Sequence, residues 1–278
     1  MRHAHLFHRS QRTQRGVTLI ELIVVITIVA VLASVGARLV ASTAGGGMDA
    51  TQRMQLAASG DAALRRMARE LQGALPNSVR VTTSGSSTFI ELIPVADAGR
   101  LRRSADSNGT GDPLNFEDPT DSSFDVLGPP LSTTGSVQLV VQNLGNDVAD
   151  AYAGNNRRAG VVLANGGSSV NFTPAGSFPD ATASARFFLV STPVTFQCTP
   201  AADGSGSITR YAGYGWQASQ PTSFSTGTSA LLLSGVVGCS ASYADALANL
   251  GMLSIQIRLG QGNGSASLLH QVALDNTP

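Results

Sequence analysis

Apolar and polar positions fall into three regimes along the chain. From Val17 to Ala37 run twenty-one residues, VTLIELIVVITIVAVLASVGA, without a lysine or arginine. A helix needs about 20 predominantly apolar residues to cross the hydrocarbon core, so this run predicts a membrane span. A second regime follows, with Leu64, Met67, Ala68, Leu71 and Leu75 recurring at three- and four-residue spacing. That period predicts an amphipathic helix over about 49–75 with one apolar stripe. Asp61 stands four residues before Arg65, a favourable helical charge pair, and Pro76 is the expected stop. From Ser78 onward the period drops to two.

In this third regime VRV (79–81) and TFIELI (88–93) flank TTSGSS and predict a hairpin. Further strands are expected at 136–141, 160–163, 169–172, 186–191, 194–198 and 207–214. The clearest pair comes last. Leu253, Ile255, Ile257 and Leu259 alternate with polar residues, GQGNG turns the chain, and Leu268, His270, Val272 and Leu274 alternate back. Residues 97–135, 145–160 and 218–230, rich in Gly, Ser, Asp and Pro, are expected to be long loops. About 200 residues after the span suit one domain, a single α+β head. Between span and head, Gly45, Gly46 and Gly47 each disfavour helix by roughly 1 kcal/mol relative to Ala, which leaves a flexible break and a continuous helix both open.

One charge interrupts the apolar run. Glu21 lies near its start, and an ionisable group inside a span is by default functional. The residues before it, MRHAHLFHRSQRTQRG, hold Arg2, Arg9, Arg12 and Arg15 and no acidic residue. Positive charge stays cytoplasmic, which sends everything after Ala37 outward. A secretory signal has a shorter apolar core followed by a small-residue cleavage site; here the small residue, Gly16, precedes a long core.

RGVTLIEL resembles the type III signal of type IV pilins and type II secretion pseudopilins: a basic leader, a Gly, usually a Phe, then Thr-Leu-Ile-Glu. Val17 stands where Phe is usual. The resemblance implies a type IV pilin-like α+β fold, a long hydrophobic N-terminal α-helix followed by a β-rich head with long loops. It implies cleavage between Gly16 and Val17 by a prepilin peptidase, N-methylation of Val17, and a role for Glu21 in setting subunit register during assembly. Implied partners are other minor and major pilins through the N-terminal helix, the inner-membrane assembly platform, and membrane lipid before assembly. The implied organisation is a removed leader (1–16), a span with its glycine break (17–47) and an exported head (48–278). The chain would be a single-pass inner-membrane protein with a periplasmic head, later carried on a surface pilus. Patches of the head, among them ALRRMARELQGALPNSVRV, NLGNDVADAYAGNNR and SITRYAGY, resemble minor pilin-like proteins of the mannose-sensitive haemagglutinin (MSHA) type IV pilus system. A tip adhesin and a large minor pseudopilin of type II secretion are the competing expectations.

Charge and rare residues narrow the chemistry. The chain has 18 basic and 18 acidic residues, and every basic one is arginine; four leave with the leader, so the remainder carries 14 against 18, a net of −4. Such a balance disfavours nucleic-acid binding, which rests on phosphate neutralisation. His3, His5 and His8 leave too, which removes a metal-binding reading of that cluster. Cys198 and Cys239 form an even pair in an exported head and predict a disulfide, with two free thiols or a metal site as alternatives. His270 shares the apolar parity of its strand and is expected to be a core residue. Asp106, Asn108, Thr110 and Glu117 fall at positions 1, 3, 5 and 12 of a calcium loop, with Gly111 at position 6. Thr110 and Pro113 fit that loop poorly, so a solvated acidic loop is the better expectation. Arg100, Arg102 and Arg103, with Arg157 and Arg158, could form a basic patch, though ordinary surface charge is the simpler reading. RYAGYGW (210–216) offers aromatics for stacking on a sugar, or for packing against neighbouring strands. No nucleophile motif, phosphate loop or zinc spacing is present, so neither catalysis nor a cofactor is expected.

Overall fold

The computed structural model describes residues 16–133, 135–179, 185–247, 250–261 and 264–277. The leader up to Arg15 and the centre of the GQGNG turn lie outside the described residues. The chain divides into two compact units, an N-terminal one reaching Thr51 and a second spanning Gln52–Pro278.

Helix α1 spans Leu19–Gln72. In the N-terminal unit its stretch Leu19–Arg38 has a mean hydropathy of 2.7 and is fully exposed. The polar atoms inside it are satisfied locally. Thr27 Oγ1 donates to the Val24 carbonyl at 2.9 Å and Ser34 Oγ to that of Val31 at 2.7 Å. A helix that meets hydrocarbon must close its hydrogen bonds in this way. The backbone stays helical through Gly45, Gly46 and Gly47, so the glycine break is absent from it. Extending a helix already formed on both sides needs no new nucleus, and Ala41, Ala44, Met48 and Ala50 flank the glycines as good helix formers.

In the second unit the end of α1 meets strands β1 (Arg80–Ser84), β2 (Ser87–Leu92), β3 (Val95–Leu101), β4 (Ser123–Leu127), β5 (Gln138–Val141), β6 (Arg157–Arg158), β7 (Val162–Ala164), β8 (Ser169–Asn171), β9 (Arg186–Val190), β10 (Val194–Thr199), β11 (Gly206–Ala212), β12 (Thr228–Leu247), β13 (Leu250–Gln261) and β14 (Gly264–Asp275). They form two antiparallel sheets. One runs in the order β1-β2-β10-β11-β12-β13-β14, the other β6-β5-β9-β3-β4-β8-β7.

The helical stripe lies on the first sheet. Leu64, Met67, Ala68 and Leu71 pack with Ile90, Phe196, Ile208, Ile255 and Ile257. Each such side chain removed from water contributes about 1.5–3 kcal/mol. Asp61 pairs with Arg65 at 2.8 Å on the outer side of the helix, and Glu70 reaches Arg210 of β11 at 2.8 Å. The second sheet has its own core of Phe124, Phe172, Phe187, Leu101 and Leu139. Between the sheets, Leu75, Ile93, Val140, Tyr152 and Val190 form a third cluster where the chain crosses from β2 to β3 and from β9 to β10.

α1 ends at Gln72, before the expected stop at Pro76. Gly73 is a poor helix former, and Leu75 instead donates its amide to the Ile93 carbonyl at 2.8 Å. Leu75 is buried as its spacing implied, but just beyond the helix. Stretches expected as loop contain strand: most of β3 and all of β4 in 97–135, and β6 in 145–160. β3 reads VADAGRL, too polar to declare itself, and takes its order from pairing with β9. β12 begins inside the expected 218–230 loop; register shifts against β11 and β13 blur its alternation.

Cys198 on β10 and Cys239 on β12 are joined by a disulfide across a sequence separation of 41. β11, which lies between those strands, starts only at Gly206. A Cβ on Gly206 would collide with the Val236 carbonyl and lie 2.6 Å from both the Ala201 nitrogen and the Thr199 oxygen, all backbone atoms that cannot rotate away. Gly206→Ala is therefore expected to lower stability by about 1–3 kcal/mol, read as a urea midpoint of the full-length protein in detergent. Replacing both cysteines by alanine should cost about 4 kcal/mol in the same measurement, from the longer loop freed in the unfolded chain.

Candidate functional site

Just before α1 the residues Gly16, Val17 and Thr18 are non-helical and exposed. Thr18 caps the helix: its Oγ1 accepts from the Glu21 amide at 3.4 Å and its carbonyl from the Leu22 amide at 3.1 Å. Thr18 and Glu21 thus occupy the N-cap and third helical positions, the spacing of a capping box. The Glu21 carboxylate also lies near the positive end of the helix dipole, which favours it there. Among the described residues it makes no ion pair. Gly16, Val17 and Glu21 thus lie within six residues of one another at an exposed helix start.

The head buries a second carboxylate. Glu91 of β2 is 0% exposed, with Arg80 Nε donating to its Oε2 at 2.5 Å and the Tyr214 hydroxyl to its Oε1 at 2.7 Å. Thr195 Oγ1 lies 2.7 Å from the same tyrosine hydroxyl. The Arg80 guanidinium stacks 3.6 Å above the Tyr152 ring and donates to the carbonyls of Ala218 at 2.6 Å and Gln217 at 2.9 Å. Tyr152 donates to the Ser78 carbonyl at 2.9 Å and meets Trp216 edge-on, and Arg157 covers that indole at 3.9 Å. Every donor set of Arg80 is occupied, so the cluster clamps segment 217–220 against β1 and ties the two sheets together.

Burial pushes the Glu91 carboxyl up from its usual range, opposed by the hydrogen bonds of Arg80 and Tyr214. Burial raises Tyr152 well above an ordinary phenol and Tyr214 likewise, with the Glu91 charge adding to both. Both tyrosines therefore stay protonated and act as donors. Neither Glu91 nor Arg80 was singled out by sequence, although Glu91 interrupts an apolar strand just as Glu21 interrupts an apolar helix.

The other candidates are spoken for. Tyr214 is buried at Glu91, Tyr211 stacks on Phe224 at 4.3 Å, and Trp216 lies between Tyr152 and Arg157, so the aromatics of RYAGYGW pack against neighbouring side chains, with Tyr211 and Trp216 half-buried. Arg102 lies 3.3 Å from Asp125, and Arg158 sits 4.5 Å from the Phe178 ring while bonding the Ser177 carbonyl. Arg100 and Arg103 are exposed. Asp106 turns on its own loop: Oδ1 accepts from the Asn108 and Thr110 amides at 2.9 and 2.8 Å, and the Thr110 hydroxyl reaches both oxygens. Those bonds lower the Asp106 carboxyl below its usual range. Glu117 instead follows Asn115, whose side chain holds the Glu117 amide at 3.0 Å. Among the described residues no group of three or more His, Cys, Asp and Glu gathers as metal ligands would. His270 is half-buried opposite Ile255 rather than sunk in the core, because β14 is an edge strand with one neighbour.

Over residues 11–37 the chain matches the family described as the prokaryotic N-terminal methylation motif. No curated protein and no solved structure matches the chain. With the exposed apolar helix and the β-rich head, the motif marks a type IV pilin-like or pseudopilin-like protein. Its N-terminal helix is consistent with single-pass membrane anchoring.

The Glu91 pair has a measurable signature. Removing Arg80 leaves an uncompensated buried carboxylate, so Arg80→Ala should cost about 3–5 kcal/mol. Because the folded carboxyl titrates above its unfolded value of 4.5, its contribution to stability is present below that pH and lost as pH rises through the folded pKa. A urea midpoint series from pH 4 to 7 should show this loss in the native protein, more steeply in Arg80→Ala, and not in Glu91→Gln.

Proposed function

We propose that the chain is a minor type IV pilin-like subunit of the MSHA type, resembling MshO, that takes part in pilus assembly or priming at the filament tip. The observation that carries this reading is the methylation motif over residues 11–37, within which Glu21 makes no ion pair among the described residues, on an exposed apolar helix that starts at Leu19, just after the expected processing point. A prepilin peptidase cleaves between Gly16 and Val17 and methylates the new amino group. The subunit waits in the inner membrane with its head in the periplasm, held by lipid around residues 17–37. On extraction by the assembly platform, Glu21 pairs with the amino terminus of a neighbouring pilin. In a low-dielectric helix bundle that attraction is far stronger than in water, and leaving either charge alone is strongly unfavourable. Register therefore follows from charge pairing. The large head with long loops suits a minor subunit, and the contacts of Tyr211, Tyr214 and Trp216 with neighbouring side chains weaken the support for a glycan-binding adhesin.

Glu21→Ala tests this directly. Mass spectrometry should still find the methylated Val17 terminus, while the protein in sheared pili falls by tenfold or more. Wild-type incorporation of the Ala variant would refute the register role. Deleting the gene separates the systems: few or no pili supports priming, normal pili with lost adhesion favours a tip adhesin, and normal pili with lost protein secretion favours a type II secretion pseudopilin.

A further inference from the structure

The two sheets of the head have four outer edges, and three are blunted. β6 has 2 residues and β7 has 3, too short to template a partner. β1 has 5, and its Arg80 carbonyl is taken by the Gln220 side chain at 3.4 Å. The fourth edge, β14, is 12 residues long and pairs with β13 in unbroken register from Gln261–Gly264 to Leu250–Asp275. Among the described residues, no main-chain hydrogen bond from another segment reaches its free side.

Natural edges are guarded by lysine or arginine, proline, bulges or shortness. GSASLLHQVALD has none of these, and its one carboxylate, Asp275, stands at the end. In an antiparallel ladder every second residue turns its N–H and C=O away from the existing partner, so about half of this strand presents open hydrogen-bonding groups. The side chains tell the same story. On the inward row Ala266, Leu268 and His270 are only half-buried, whereas Val272 and Leu274 are buried. On the outward row Leu269 is 65% exposed.

We propose that β14 is a docking edge for β14 of a second copy of this chain, added antiparallel about a twofold axis at Leu269. In that register Leu269 faces its own symmetry mate, Ser267 faces Gln271 and Ser265 faces Ala273. On the inward side Leu268 faces His270 and Ala266 faces Val272. No like charges meet, and the half-buried inward row gains a neighbour. The sequence is self-complementary in the way an isologous contact requires. Two chains anchored in one membrane would also meet at raised effective concentration.

Facing residues of an antiparallel pair lie about 4.5–5.5 Å apart at Cα, within disulfide reach. Full-length Leu269→Cys, oxidised in native membranes, is expected to give a covalent dimer of two copies on non-reducing gels. Ser229→Cys, exposed on the interior strand β12, is expected to give none. In purified full-length protein Leu269→Lys should weaken self-association by about tenfold or more, measured by light scattering, because two ammonium groups then face each other. At concentrations too low for association its thermal unfolding curve should match that of the native protein, since the side chain is exposed. A monomeric Leu269→Cys, equal cross-linking at position 229, cross-linking to a different protein, or undiminished association of Leu269→Lys would each overturn the proposal.

Discussion

The fold of the head hangs on one contact, the apolar stripe of α1 laid across the first sheet. Leu64, Met67, Ala68 and Leu71 cover Ile90, Phe196, Ile208, Ile255 and Ile257, which come from strands far apart in sequence. A sheet of seven strands with one face uncovered would expose a broad apolar surface, and a helix with such a stripe is unstable alone. Each element completes the other. Gly60 lets the two come close, for a Cβ there would reach Leu268 and Leu259 at 2.6 and 2.9 Å. The second sheet is joined through the junction of Leu75, Ile93, Tyr152 and Val190 and through the Arg80–Glu91 clamp.

Much of this was legible in the chain. The apolar run, the helical stripe, the first hairpin and the last two strands follow from period alone, because in each the buried face is long and regular. What escaped had a specific cause. β3 is a polar strand ordered by its neighbours, β4 is only five residues long within a loop-like stretch, and the alternation of β12 is interrupted by bulges. The early end of α1 at Gln72 was set by a tertiary bond from Leu75 rather than by Pro76.

The segment IELI makes the limit plain. At 20–23 it is the first turn of an exposed helix; at 90–93 it is a buried strand and its crossover. In the helix Glu21 has no charge partner among the described residues, and in the strand Glu91 is enclosed by Arg80, Tyr214 and their neighbours. Local sequence is the same, so the state of the carboxylate is decided by what the rest of the chain brings to it. The N-terminal candidate was legible because its motif is contiguous. The Arg80–Glu91–Tyr214 cluster was not, since it assembles residues from positions 80 to 214.

The disulfide has a mechanical consequence. A load that peels the head from its C-terminal end would strip β14, then β13, then β12, and stop at Cys239, which is bonded to β10. The loop between the two sulfurs, a sequence separation of 41, would then add nothing to the extended length, since force bypasses it. At about 3.4 Å per residue, roughly 140 Å of contour stays shielded while the bond is intact. The oxidised head would thus extend less under load than the reduced one, because the bond passes the force directly to β10.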